Sequence, residues 1–208
     1  MKSFPAVAIL EFRSISTGIQ TTDAMLKKSP ISFIKSGTIT RGRYLTVIGG
    51  TTASVDEAFE EGLFWGANDV LDRVFLPDVH PDVFNAMFGK RGQSKDASLL
   101  ILETASVAGN IRAAEAVLKG TPVEIIELRM ADDGLSGKGL SIFAGELHDV
   151  EEAIALASAF MERADVEYTH RILTSPHEAL GRQLADTTKF HEAEALNLEG
   201  ELGYNEAR

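Results

Sequence analysis

The chain repeats itself, and the repeat limits its possible folds more tightly than any other feature. Near the N-terminus it reads Ala8-Ile9-Leu10-Glu11, Ser14-Ile15, Ile19, Asp23-Ala24, Leu26-Lys27 and Pro30-Ile31. In the second half it reads Leu100-Ile101-Leu102-Glu103, Ser106-Val107, Ile111, Glu115-Ala116, Leu118-Lys119 and Pro122-Val123. The offset is a constant 92 residues with no gap, a density of agreement that marks a duplication. Gly50, Val55, Glu57 and Ala58 then match Gly145, Val150, Glu152 and Ala153 at an offset of 95, which places three extra residues in the second copy, within Asp132–Lys138. His80 and His177 close the copies at an offset of 97. A length of 208 residues suits one mid-sized core or two small ones, and the repeat decides for two: homologous domains over about 1–95 and 96–184, with a tail over 185–208.

Hydrophobic period and punctuation supply the elements of each copy. Ala6–Phe12 and Ser98–Thr104 are short apolar runs that suit buried strands. Ser16–Lys28 has helical spacing behind Ser14 or Ser16 as N-cap, and Pro30 stops it; Val107–Lys119, ended by Gly120 and Pro122, repeats the logic. Ile31–Ile39 and Arg43–Ile48 read as a hairpin around Thr40-Arg41-Gly42, Ser54–Gly66 as an amphipathic helix, and Asp69–Leu76 as a last strand. The order β-α-β-β-α-β predicts an α+β fold of two tandem ferredoxin-like sandwiches, each on a mainly antiparallel four-stranded sheet.

Composition removes several function classes. With 44% hydrophobic and 25% charged residues the chain can bury a core. There is no apolar run of 18 residues and the N-terminus reaches Glu11 and Arg13 too early for a signal peptide, so a soluble intracellular protein away from membranes is expected. The net charge of −11 argues against nucleic acid as a partner. Absence of cysteine excludes disulfides, thiolate metal sites and a cysteine nucleophile. His80, His148, His170, His177 and His191 are scattered without metal-ligand spacing, and the Gly49-Gly50 and Gly134–Gly139 clusters lack a nucleotide fingerprint, so no cofactor and no catalytic residues are expected. Glu11 and Glu103, at equivalent strand ends, read as duplicated structural residues rather than an acid–base dyad.

The series Ala8-Ile9-Leu10-Glu11, Asp23-Ala24-Met25-Leu26-Lys27, Thr40-Arg41-Gly42, Val47-Ile48-Gly49-Gly50 and Val55-Asp56-Glu57-Ala58 resembles the bacterial microcompartment shell domain, and so does its second copy. The chain is thus similar to tandem-domain members of that family over roughly residues 6–180. The resemblance implies a homotrimer whose six domains imitate a hexagon, a tile that joins hexameric and pentameric sister tiles in a shell in the bacterial cytoplasm, and a central pore for small metabolites. It implies pore lining by Thr40, Arg41 and Gly42 and by the longer loop Asp132, Asp133, Gly134, Leu135, Ser136, Gly137 and Lys138. An Arg41 ring would favour anions, with Asp132 and Asp133 as possible offsets; read without the family, Arg41 is a solvated hairpin residue.

Tile-edge contacts are implied at Lys27 and Lys119, the family's edge lysines, and at Asp78, His80, Ser175 and His177, with Asp78 and Ser175 standing where the family has arginine. Helix C-terminal cations favoured by the macrodipole are the plain alternative for the lysines. Some family members hold an iron–sulfur cluster through central cysteines, which this chain lacks. The tail, with six acids against Lys189 and Arg208, reads as a solvated segment or one that docks on a neighbour or cargo. A ferredoxin-like oligomeric enzyme or small-ligand-binding regulator, with its site between the repeats, is the alternative class.

Overall fold

The computed structural model describes residues 6–92, 98–132, 134–196 and 198. In the first copy β1 (Ala6–Phe12), α1 (Ile15–Lys28), β2 (Phe33–Ile39), β3 (Arg43–Gly50), α2 (Thr52–Gly66) and β4 (Val70–Leu76) follow one another as the repeat predicts. The second copy supplies β5 (Ser98–Thr104), α4 (Val107–Gly120), β6 (Glu124–Met130), β7 (Gly139–Gly145), α5 (Leu147–Arg163) and β8 (Tyr168–Leu173). The sheets run β2-β3-β1-β4 and β6-β7-β5-β8, antiparallel throughout, as in a ferredoxin-like sandwich. Ser14 and Ser106 cap α1 and α4, each side-chain oxygen accepting a backbone N–H three residues on, so a hydroxyl satisfies one of the amides that every helix start leaves unpaired.

Two helices lie beyond the repeat pattern. α3 (Pro81–Met87) and α6 (Glu178–Asp186) follow the last strand of each copy, and each starts at a histidine: Nδ1 of His80 accepts from Asp82 N–H and Nδ1 of His177 from Ala179 N–H, both at 3.2 Å. α6 continues past residue 184. Arg91 donates to its Leu184 carbonyl and Arg129 to Thr188 Oγ1, so the start of the tail rests on its own chain.

β1 is buried along its whole length, and the two faces of its sheet have different covers. Ala8, Leu10 and Phe12 pack on Met25, Val55, Ala58 and Phe59 of the copy's own helices. Val7 and Ile9, with Val74 and Leu76, join a cluster holding Val79 and Val83 from the segment after β4 and Val107, Ala108 and Ile111 from α4 of the second copy. One apolar core therefore runs across the boundary, and burial of this kind contributes about 25 cal/mol per Å².

Candidate functional site

The two segments expected around a pore lie side by side. Thr40–Gly42 is a single tight turn in which Arg41 (φ 69°) and Gly42 (φ 68°) are both left-handed, a conformation glycine takes freely and arginine takes at a cost. Thr40 Oγ1 donates to the Ala131 carbonyl at 3.3 Å, and Arg43 Nη1 approaches the Gly137 carbonyl at 3.4 Å. A Cβ on Gly137 would stand 3.0 Å from Arg43 Nη1 and 3.3 Å from Arg41 Cδ, atoms of flexible side chains, and it is the backbone φ of 85° that favours glycine where the loop passes the turn. Arg41 is exposed and has no ion-pair partner among the described residues. Asp132 faces another way: Arg129 grips its carboxylate through Nε and Nη2 at 2.7–3.1 Å, and Lys189 lies 3.9 Å off. Its charge is thereby already balanced. Leu135 packs with the apolar cluster of Ile142 and Leu140, Lys138 pairs with Glu103, and Asp133 lies outside the described residues.

Behind the turns is a junction that sequence reasoning missed. The Glu11 carboxylate, fully buried, accepts from Arg43 Nη1 at 2.8 Å and from the backbone N–H of Val107, the first residue of α4, at 3.0 Å. Burial pushes its carboxyl above the ordinary value of 4.5, against the opposing pull of Val107 N–H and Arg43. Beside it Ser106 Oγ hydrogen-bonds Asp72, and Arg112 pairs with Asp72 and donates to the Arg73 carbonyl. The start of α4 is thus clasped by the strand ends of copy one, with a carboxylate at the positive end of a helix. The signal that could have found it is Arg43 standing 95 residues before Lys138, the offset of that strand, so that each copy has a cation beside its strand-end Glu.

The expected edge residues divide into two groups. Lys119 Nζ donates to the Asp78 carbonyl at 2.6 Å and pairs with Glu115, while Glu115 accepts from His80 N–H at 2.9 and 3.1 Å. Lys119, Asp78 and His80 therefore meet within one chain. Lys27, far more exposed, pairs with Asp23 on its own helix, and Ser175 and His177 lie at the end of the second copy, without a lysine. Between the copies a cavity of about 350 Å³ is lined by Lys35, Arg91, Glu127, Arg129, Asp132 and Lys189, whose charges largely answer one another through Arg91–Glu127 and Arg129–Asp132. Among the described residues no three His, Asp or Glu side chains converge in a way that could hold a metal ion, and no helix is long and apolar enough to cross a membrane.

Two like βαββαβ units, one clasping the first helix of the other and both presenting a turn at one place, define a tandem-domain protein whose repeats are built to pack on each other. The comparisons with known proteins give that class its family. The BMC domain model matches residues 6–79 and 98–176. The bacterial microcompartment shell protein PduT of Citrobacter freundii is 32% identical over 181 residues, 87% of this chain and 98% of the relative. The carboxysome assembly protein CcmO of Synechocystis sp. is 26% identical over 186 residues, covering 82% of this chain and 61% of CcmO. Among solved structures, a microcompartments protein from Desulfitobacterium hafniense DCB superposes with a TM-score of 0.73 at 29% identity, over 86% of this chain and 99% of the other. A fused permuted hexameric shell protein of the RMM microcompartment shares the fold (TM-score 0.57, 21% identity, 78% and 84% coverage). The chain belongs to the bacterial microcompartment shell family, as a member with two tandem BMC domains.

Proposed function

We propose that three copies of this chain close into a pseudohexameric tile of a microcompartment shell in the bacterial cytoplasm, a wall element without catalysis, whose central opening passes small metabolites. The domains of the tile are 1–95 and 96–184, with 185–208 as a C-terminal tail. Its neighbours in the wall are hexameric and pentameric sister tiles. The observation that carries this reading is the side-by-side packing of Thr40–Gly42 and the Asp132–Lys138 loop, joined by Thr40 to Ala131 and Arg43 to Gly137. Six such turns from three chains form one constriction, in which Thr40, Arg41 and Gly42 alternate with the longer loop. With Asp132 already matched by Arg129, the unpaired Arg41 leaves the opening positive, which favours anionic metabolites. Lys27 and Lys119 keep a large part of their side chains in solvent, as the rim of a tile that meets its neighbours requires, with Asp78, His80, Ser175 and His177 close to the same rim.

Light scattering on the purified chain tests the trimer: a mass three times 22.5 kDa is expected, and a monomer at all concentrations overturns it. The opening is tested by Arg41→Glu in shells reconstituted with sister tiles. Anion entry falls if Arg41 sets the potential, and unchanged entry removes Arg41 from that role.

A further inference from the structure

The start of the tail makes contacts that neither repeat uses, and they converge on one arginine. Arg129, near the end of β6 and only 8% exposed, turns two ways: Nε and Nη2 donate to the Asp132 carboxylate, and Nη1 donates to Thr188 Oγ1 at 3.0 Å. Asp132 begins the longer loop, and Lys189 Nζ stands 3.9 Å from its Oδ2. The segment that presents Thr188 and Lys189 is itself shaped. Thr187 Oγ1 accepts from Lys189 N–H at 3.1 Å and donates to Glu192 at 3.2 Å, while the Lys189 carbonyl accepts from the N–H groups of Glu192 and Ala193. Upstream, Leu184 packs on the apolar cluster of Leu140 and Ile142, which also takes Leu135 of the loop.

Copy one has no counterpart of this arrangement. Arg129 lies opposite Leu140 in its ladder, and the same place in copy one, opposite Leu45, is held by Gly37, which has no side chain to offer. Nor does the turn of copy one need such a hold, since the β2–β3 ladder pairs Ile39 with Arg43 and closes Thr40–Gly42 directly. In copy two the ladder ends at Met130 and Gly139, and the longer loop has more conformations to lose on being fixed. Thr188 and Lys189 lie beyond residue 176, where the match to the BMC domain ends, so the hold belongs to the tail and not to the repeated unit.

We propose that Thr188 and Lys189 are positioning residues for the loop that begins at Asp132. Thr188 fixes the guanidinium of Arg129, which then presents Nε and Nη2 to Asp132 as a fork, and Lys189 brings a second cation to the same carboxylate. From there the hold passes to copy one, because the carbonyl of neighbouring Ala131 accepts from Thr40 Oγ1. Tail, loop and turn form one connected set, with Arg41 at its far end. The bearing of this set on the opening rests on the tile reading, whereas the hold on the loop is a property of the single chain.

Three amides report on the loop: Ala131 N–H donates to the Lys138 carbonyl, Leu135 N–H to that of Asp132 and Lys138 N–H to that of Leu135, at 3.0–3.1 Å. Hydrogen exchange of the full chain, read by mass spectrometry on peptides that contain them, tests the assignment. Thr188→Val combined with Lys189→Gln is expected to speed their exchange about fivefold or more, as loss of polar contacts does to a local opening, with β1 and β5 unchanged. Thr188→Ser combined with Lys189→Arg keeps the hydroxyl and the cation and is expected to restore the native rate. Unchanged loop exchange in the first double variant overturns the proposal, and so does an equal rise in β1 and β5, which would make the segment a support of the whole fold. Entry of inorganic phosphate into shells reconstituted with sister tiles, measured with Thr188→Val alone so that every charge is kept, separates this outcome from the tile reading. Faster loop exchange with unchanged phosphate entry upholds the positioning and removes the loop from the opening. Unchanged loop exchange in a chain that forms trimers and shells removes the positioning and leaves the tile.

Discussion

Glu11 and Glu103 hold the same position of the same strand in two copies of one domain, and their surroundings are opposites. Glu11 is sealed between a guanidinium and a helix start, with the core running on behind it into the other copy. Glu103 pairs with a lysine in solvent beside an open groove. Duplication within one chain has thus sealed one of two like pairs and left the other in solvent. The difference teaches that the charged pair is suited to both settings, and that what is packed over it sets its energetic weight.

The largest expected effect breaks this comparison if it fails. Glu11→Ala takes the carboxylate from Val107 N–H and leaves Arg43 with only its 3.4 Å approach to the Gly137 carbonyl, and loss of one partner of a buried pair costs about 3–5 kcal/mol. Glu103→Ala removes an exposed pair, for which about 0–1 kcal/mol is expected. Urea denaturation of both variants measures the gap. Equal losses would mean that the junction between the copies does not depend on the buried carboxylate.

A second contrast lies in the packing of each first helix on its sheet. Gly18 of α1 faces Tyr44 of β3, and a Cβ there would stand 2.6 Å from Tyr44 Cδ1. In copy two the sizes are exchanged: Asn110 of α4 faces Gly139 of β7, where an added Cβ would meet Asn110 Cβ at 2.3 Å. Each pair fills one volume from opposite sides. Gly18→Asn alone is therefore expected to cost about 2 kcal/mol by overpacking, and close to nothing when Tyr44 is already glycine. A double-mutant cycle in which Asn costs the same in both backgrounds breaks the exchange.

Much of this architecture is legible in the residues themselves. The repeat, at offsets of 92, 95 and 97, and the β-branched, glycine-punctuated runs place the eight strands and four of the helices among the described residues, because hydrophobic period and caps are local signals. α3 and α6 are not legible in that way, since each is a short segment begun by a histidine cap that periodicity does not distinguish from a loop. The turn Thr40–Gly42 is read directly from its residues. The clasp around Glu11 is not, because it joins residues 96 apart and depends on which surfaces of the two copies meet. Asp132 shows the same limit, since its partners Arg129 and Lys189 come from a strand and from the tail.

The smallest effect is a slope with pH, and it sharpens the comparison by reporting on the closed junction alone. Burial is the main influence on the Glu11 carboxyl and raises its pKa above 4.5, with Val107 N–H and Arg43 pulling the other way and nearby Asp72 adding to the rise. In the folded chain this group therefore holds its proton to a higher pH than in the unfolded chain, so folding takes up a proton in the interval between the two values. Linkage then makes the Glu11 contribution fully present below pH 4.5 and lost as pH climbs through the raised folded value. Glu11→Gln has no proton to take up at this site. Denaturation midpoints measured from about pH 4 to about pH 8 are expected to show the native chain losing stability relative to Glu11→Gln as pH rises through that interval. The opposite sign would mean that Arg43 and the helix start outweigh burial, and that the carboxylate is held in the junction chiefly by charge.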